Sequence, residues 1–285
     1  MPEKEDFILP FQLESCQLRG RIIRLHGAVD DILGAHAYPE KVSRLLGETV
    51  TLCGLLSSML KYRGIFTLQV QGSGPLSMLV SDINSDGGIR ACAAFKEEAL
   101  AAAGDALPDL TGKGHIAFTV DQGPETDRYQ GIVELKGRTL LECVQHYFAQ
   151  SEQIETGIVM GVGLRDGKWR AQGLMLQRMP EEGGTASGNI EEDDWRRAMI
   201  LMQSCKEDEL LDPGLSAEDI LTRLFHEEGV RVYDPRFLEK TCRCSFEKVE
   251  AVLKTMPEED KQDMAEDGVI TMTCEFCNQD YVFDL

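Results

Sequence analysis

Two close cysteine pairs near the end of the chain are the residues whose types and spacing most plainly suggest chemistry. Cys242 and Cys244 stand in "TCRCSFEKVE" (241–250), and Cys274 and Cys277 stand in "TMTCEFCNQD" (271–280). Residues 245 to 273 separate the pairs. Four thiolates delivered as two close pairs are the donor set of a tetrahedral zinc site, because each pair brings two ligands with little extra ordering of chain. Four protein ligands close such a site, so the metal is expected to be structural and not catalytic. Three other readings stand beside zinc: metal-free redox thiols, buried core cysteines and an iron–sulfur centre, which also takes four cysteines. A nucleic-acid-binding ribbon is a fourth, and it is opposed by charge, since residues 234–285 are net −7. The C-x-C pair suggests redox chemistry as well. An oxidant can attack a zinc thiolate, and the neighbouring thiol can then resolve the sulfenic acid as a disulfide. Each disulfide removes two metal ligands.

The elements that must position these cysteines are punctuated clearly. Ser245 can cap a helix "FEKVEAVLKT" with Phe246, Val249 and Leu253 on one side, and Pro257 opens a second short helix. Gly268 ends it, "VITMTC" alternates as a strand, and "YVF" at 281–283 can pair back, placing Cys274 and Cys277 on a hairpin turn. About fifty residues with few large apolar groups are near the limit at which a core alone holds a fold. A structural zinc contributes roughly 10–16 kcal/mol of apparent binding free energy, which would meet that need.

Upstream the texture differs. Residues 1–179 carry 22 acids and 18 bases and read as one α+β body with mainly antiparallel strands. "GRIIRLHG" reads as a strand, and "PEKVSRLLGETVTLCGLLSSMLK" reads as a helix with Pro39 at its first position. "GIFTLQVQ", "LSMLVSDI" and "IRACAAF" form a meander joined by Gly-rich turns. "GHIAFTV" and "RYQGIVEL" follow as a strand pair, then a helix "TLLECVQHYFAQSEQ" and a hairpin turning at Asp166-Gly167. Residues 180–233 are an acidic helical linker of net −9, opening on the flexible stretch "PEEGGTASGN" (180–189). In it "IEEDDWRRAMILMQSCKEDELL" is an amphipathic helix with Trp195, Ala198, Met199 and Met202 on one face. "SAEDILTRLFHEEG" is a second, with capping-box spacing at Ser216 and Asp219, a stop at Gly229 and Ile220, Leu221 and Leu224 on its apolar face. Both helices are too short to be stable alone, so they need a surface to pack on.

The composition excludes several classes. No apolar run reaches membrane-spanning length, and "MPEKEDFILPFQLE" lacks the pattern of a secretory signal. A cytoplasmic protein is expected, in which nine cysteines do not form a permanent disulfide framework. Net charge −20 opposes nucleic acid and anionic membranes as partners. An enzyme is not expected. "HEEGVR" at 226–231 has Val230 where a zinc protease needs its second histidine. "GVGLRDG" at 161–167 leads into a hairpin, not the helix of a dinucleotide loop. His26, His36, His115, His146 and His226 are scattered, and no serine or cysteine nucleophile has a recognisable setting. A zinc-ribbon adaptor without redox control is the second rival, and spacing alone does not separate it from a sensor.

The sequence resembles one family over residue 7 to the end: the bacterial redox-regulated heat-shock chaperones, the thirty-three-kilodalton chaperonins. C-x-C, about thirty residues and C-x-x-C carry the likeness. So do "RLFHEEGVRVYDP", "LKTMPEED", "AEDG" and "CEFCNQDYVF", and upstream "HYFAQSEQIET", "GKGHIAFTV", "YQGIVELKG" and "GLMLQRMP". The resemblance implies that Cys242, Cys244, Cys274 and Cys277 bind one zinc ion when reduced. It implies that oxidation joins Cys242 to Cys244 and Cys274 to Cys277, releases zinc and unfolds the tail (234–285) and linker. An ATP-independent holdase, usually a homodimer, then binds unfolding client proteins through the N-terminal domain. Two departures stand out. The chain ends eight residues after Cys277, and it carries Cys205 in the linker besides Cys16, Cys53, Cys92 and Cys143, which are expected to be buried or bystander thiols. In the reduced state the linker helices are expected to cover apolar surface of residues 1–179 through Trp195, Met199, Met202, Leu221 and Leu224.

Overall fold

Two antiparallel sheets enclose one long apolar helix. The computed structural model describes residues 5–16, 18–123, 126–149, 154–178 and 192–284. The chain opens with β1 (Phe7–Leu13) and β2 (Leu18–Leu25), then helices α1 (Gly27–Gly34) and α2 (Glu40–Ser57). The meander follows as β3 (Ile65–Gly72), β4 (Leu76–Asn84) and β5 (Gly88–Phe95). Short helices α3 (Glu97–Ala102) and α4 (Leu107–Thr111) lead to β6 (Gly114–Asp121), β7 (Tyr129–Glu134) and α5 (Leu140–Tyr147). After the hairpin β8 (Thr156–Arg165) and β9 (Lys168–Gln177) come α6 (Glu192–Gln203), α7 (Glu207–Leu210) and α8 (Ala217–Phe225). Three short strands, β10 (Val230–Val232), β11 (Arg236–Phe237) and β12 (Glu239–Lys240), precede α9 (Phe246–Thr255) and α10 (Glu258–Met264). The hairpin β13 (Val269–Thr273) and β14 (Asp280–Asp284) ends the described chain. The fold is α+β.

The first sheet runs β10-β1-β2-β9-β8, with β11 also paired to β1; the second runs β12-β5-β4-β3-β6-β7. All these pairings are antiparallel except β12 on β5. Helix α2 lies between the sheets, and its buried faces include Val42, Leu46, Val50, Leu52 and Leu55. Its buried hydroxyls do not stay unpaired: Thr49 and Thr51 donate to the carbonyls of Leu45 and Gly47 at 2.7 and 2.8 Å. Gly54 lets the helix approach β2 closely, for a Cβ there would lie 2.2 Å from Ile23 Cδ1. At the hairpin turn, Asp166 (φ 53°) and Gly167 (φ 75°) both take the left-handed conformation that a two-residue turn of type I′ demands.

The linker helices pack where the first sheet turns its outer face. Ala198 and Met202 of α6 and Ala217, Ile220, Leu221 and Phe225 of α8 are buried with Leu9, Phe11, Ile22, Leu174 and Leu176 of that sheet. Trp195, Met199 and Leu224 lie partly buried on the same cluster. The five covering side chains read from the sequence therefore do lie against the first sheet, and the largest buried one, Phe225, was not among them. Ser216 caps α8 and exchanges a reciprocal pair of bonds with Asp219; past Phe225 a short 3-10 turn, His226–Glu228, follows, and Gly229 (φ 69°) ends it. The long helix read over 190–211 is two in its described part: Ser204 and Cys205 break it, because the chain must turn for Leu210 and Leu211 to bury against β8 and β9. Pro39 stands one residue before α2 begins, with ψ 147°, and not at its first position. The stretch 180–189 lies outside the described residues.

Proline explains a gap in the first sheet. Pro10 lies mid-β1, and its carbonyl accepts from Tyr233 N at 2.9 Å, so its missing N–H faces the same side. On that side β10 pairs with Phe11–Leu13 and β11 with Phe7 and Ile8, leaving Pro10 between two short strands. Strands on both sides of position 233 thus join the N-terminal sheet.

Candidate metal centre

Cys242 and Cys244 lie on the irregular stretch 241–245, fixed at one end by β12 and at the other by α9. Thr241 N donates to Ile89 O at 3.0 Å, tying that stretch to β5. Ser245 caps α9 by accepting from Lys248 N, and Lys248 Nζ donates to Arg243 O at 2.6 Å. Across the site, Cys274 and Cys277 occupy the β13–β14 turn, where Thr273 pairs with Asp280. Cys274 N donates to Gln279 O at 2.9 Å, Asn278 N donates to Cys274 O at 2.8 Å, and Asn278 adopts φ 58° to close the turn. The two cysteine motifs therefore face each other as the sequence suggests.

Their sulfurs converge. Cys242 Sγ lies 3.7 Å from Cys274 Sγ, and Cys244 Sγ lies 3.4 Å from Cys277 Sγ. All four sulfurs lie within 4.8 Å of one another. A tetrahedron of thiolates with metal–sulfur bonds of about 2.3 Å has edges of about 3.8 Å, so the arrangement fits one metal ion. It is the one such group of His, Cys, Asp or Glu side chains among the described residues. All nine cysteines are free thiols.

The four sulfurs share charge unequally. Burial raises the Cys242 thiol, but hydrogen bonds from the Cys244 backbone and from the thiols of Cys244, Cys277 and Cys274 outweigh it and bring it down to about 7. Burial, with the neighbouring sulfurs adding to it, pushes Cys277 up to about 12, and burial raises Cys244 as well. One thiolate forms easily and opposes the next; a cation at the centre would remove that opposition. Tyr281 adds a hydrogen bond from its hydroxyl to Cys244 Sγ at 3.1 Å. Reading 281–283 only as a strand missed this role. The signal was the alternation itself, which puts Tyr281 on the same face as buried Phe283.

The tail has little apolar core of its own. Its apolar cluster has three buried members, Leu253, Ile270 and Phe283, with Val249, Met256, Ala265, Met272 and Tyr281 partly buried around them. Phe246, expected on the inner side with Val249 and Leu253, is 47% exposed but keeps its ring 4.6 Å from that of Phe283. The other five cysteines are chemically quiet. Cys16, Cys53, Cys92 and Cys143 are buried, and burial pushes Cys53 and Cys92 up to about 12 and raises Cys16 and Cys143. Half-buried Cys205 is raised to about 11 for the same reason. No helix among the described residues is long and apolar enough to cross a membrane.

The comparisons with known proteins agree with this geometry. The family model for the Hsp33 protein matches residues 6–284. The 33 kDa chaperonin of Caulobacter vibrioides is 39% identical over 290 residues, covering 98% of this chain and 95% of the relative. That of Escherichia coli O7:K1 is 37% identical over 285 residues, covering 100% and 94%. The crystal structure of the 33 kDa chaperonin from Thermotoga maritima shares the fold, with a TM-score of 0.80 at 22% identity over 98% of this chain and 95% of that one. Sequence and fold together place this chain in the Hsp33 family, whose members are chaperones and not enzymes.

Proposed function

We propose that the chain is a redox-regulated, ATP-independent holdase, locked when reduced and zinc-bound. The observation that carries this reading is the convergence of four thiol sulfurs within 4.8 Å on a tail with a three-residue core. In this reading residues 1–179 bind clients, 180–233 form the regulatory linker and 234–285 form the sensor. Cys242, Cys244, Cys274 and Cys277 hold one zinc ion, which supplies structural cohesion and no open coordination position. A hydroperoxide oxidises each cysteine pair: two thiols give up two electrons and two protons, its O–O bond breaks, and one disulfide and one molecule each of water and alcohol result (two of water from hydrogen peroxide).

The disulfides are Cys242–Cys244 and Cys274–Cys277. The shortest sulfur separations given above run between motifs, so pairing within motifs follows the separation of the two motifs as zinc leaves. Loss of metal unfolds the tail; β11 leaves the β1 edge that it shares with β10, the strand following α8, so α6 and α8 loosen and the apolar face of the first sheet opens to unfolding proteins. The oxidised chain acts as a homodimer in the cytoplasm, with neither nucleic acid nor membrane as partner. Light scattering of a heat-denaturing client, with reduced and peroxide-treated protein compared, tests the reading. Suppression only after oxidation, with one zinc released per chain and within-motif disulfides in the peptide map, is the expected result. Equal suppression by both forms would leave a constitutive binder in its place.

A further inference from the structure

The residues enclosed by the two cysteine pairs reach the same strand pair of the N-terminal body. Arg243, the middle residue of C-x-C, donates Nη2 to Asp82 Oδ2 at 2.8 Å. Phe276, inside C-x-x-C, lies beneath the guanidinium of Arg90, whose central carbon is 3.8 Å from the ring centroid. Arg90 in turn donates Nε to the Asp82 carboxylate at 3.2 and 3.0 Å. Asp82 on β4 and Arg90 on β5 are cross-strand neighbours. Beside them β12 pairs in parallel with Gly88 and Ile89, and the short approach leaves no room for a side chain at Gly88, where a Cβ would lie 2.2 Å from Thr241 Oγ1.

The Asp82 side chain is only 6% exposed. A carboxylate removed from water in this way needs its charge answered by hydrogen-bonded cations. Arg90 answers it from the same sheet, and Arg243 answers it from between two sulfurs of the metal centre. The stacked Phe276 ring adds a cation–π contact to the half-buried Arg90. Both cysteine loops are thus anchored at their middle residues to one buried carboxylate–guanidinium pair.

We infer that Asp82 and Arg90, far along the chain from the four clustered cysteines, are positioning residues for the metal centre: they hold both cysteine loops in register and so set how readily the sulfurs release the ion. This rests on the zinc reading above. For metal to leave, the loops must separate, and the Asp82–Arg243 and Arg90–Phe276 contacts resist that separation. By linkage the effect is reciprocal, so metal in the site holds the tail on β5.

The test uses the full-length, reduced, zinc-loaded chain and follows zinc transfer to a chromogenic chelator. Asp82→Asn is expected to release zinc about tenfold faster, the factor set by a coupling free energy of about 1.4 kcal/mol. Phe276→Leu accelerates release as well, while Arg243→Lys, which keeps the charge, lies near wild type. Asp82→Asn adds nothing in an Arg243→Gln background, because the contact is already gone. Removing zinc from the wild type speeds hydrogen exchange at the amides of Glu239 and Thr241, which bond to β5 and its turn. A wild-type release rate in Asp82→Asn, or effects of Asp82→Asn and Arg243→Gln that multiply, would overturn the inference. Should Asp82→Asn fail to fold, wild-type release by both Phe276→Leu and Arg243→Gln overturns it equally. Purified wild-type protein lacking its zinc equivalent overturns the zinc reading and takes this one with it; bound zinc that is indifferent to these variants overturns this one alone.

Discussion

Phe225→Ala should unlock the chaperone without any oxidation. Phe225 is fully buried at the end of α8, its ring 6.2 Å from that of Phe11 on β1. Helix α8 has nine residues and docks through Ala217, Ile220, Leu221 and Phe225. A helix of that length has little stability of its own, so its persistence depends on the docking. Truncating a buried phenylalanine to alanine costs about 3–5 kcal/mol once the cavity is included. At about 1.4 kcal/mol per tenfold, the undocked population of α8 rises by roughly two to three and a half orders of magnitude. The four-cysteine site is not touched, so on the zinc reading proposed above the metal content stays that of the wild type. Hydrogen exchange across 217–225 in the reduced protein reads the undocking; a hydrophobic dye and client light scattering read its consequence. The reasoning is refuted if α8 exchanges faster by the expected factor while the reduced protein neither binds dye nor suppresses aggregation, for then the face beneath α8 is not what clients use.

Three further outcomes follow from the same structure. Chelation of the reduced protein should abolish protection across 242–284 and leave β3–β6 protected, since three buried side chains are too few to hold the tail; retained protection in β13 and β14 would contradict this. Tyr281→Phe removes the hydroxyl bonded to Cys244 Sγ, and peroxide-driven zinc release should quicken roughly two- to fivefold, with an unchanged rate counting against any role for that bond. Glu48 on α2 supplies a pH dependence: burial, then the neighbouring Glu207 charge, raises its carboxyl to about 7 from 4.5. A folded-state pKa above the unfolded value contributes stability that is complete below pH 4.5 and lost as pH rises through 7. Glu48→Gln should therefore raise stability at pH 8 by about 1–2 kcal/mol after discounting for its partial exposure, read as a higher melting temperature, and leave it unchanged at pH 4. Equal shifts at both pH values would refute the assignment.

Local chemistry made part of this fold readable. Gly-rich turns fixed the meander, Asp166-Gly167 fixed its hairpin, and the caps at Ser216 and Ser245 fixed two helix starts to the residue. The cysteine spacing pointed to the site because the two loops need only their own hairpin and capped helix to face each other. What stayed hidden is non-local. Strands β10, β11 and β12 are two or three residues long, too short for any alternation to register, and exist only because β1 and β5 offer them edges. The break at Ser204 follows from where β8 lies, which no helical periodicity encodes. Asp82 reads as one more acid in a strand, since its two arginine partners come from a neighbouring strand and from the tail.

The interlock between β1 and the segment after α8 has a consequence for synthesis on the ribosome. Ser15 meets Glu228 across 213 positions of chain, and Phe7 pairs with Phe237. The outer edge of β1 therefore waits, unpaired, until residues 230–237 have emerged, and so does the apolar face that α8 will cover. A chain built to shelter other unfolding proteins passes through its own birth with that surface bare.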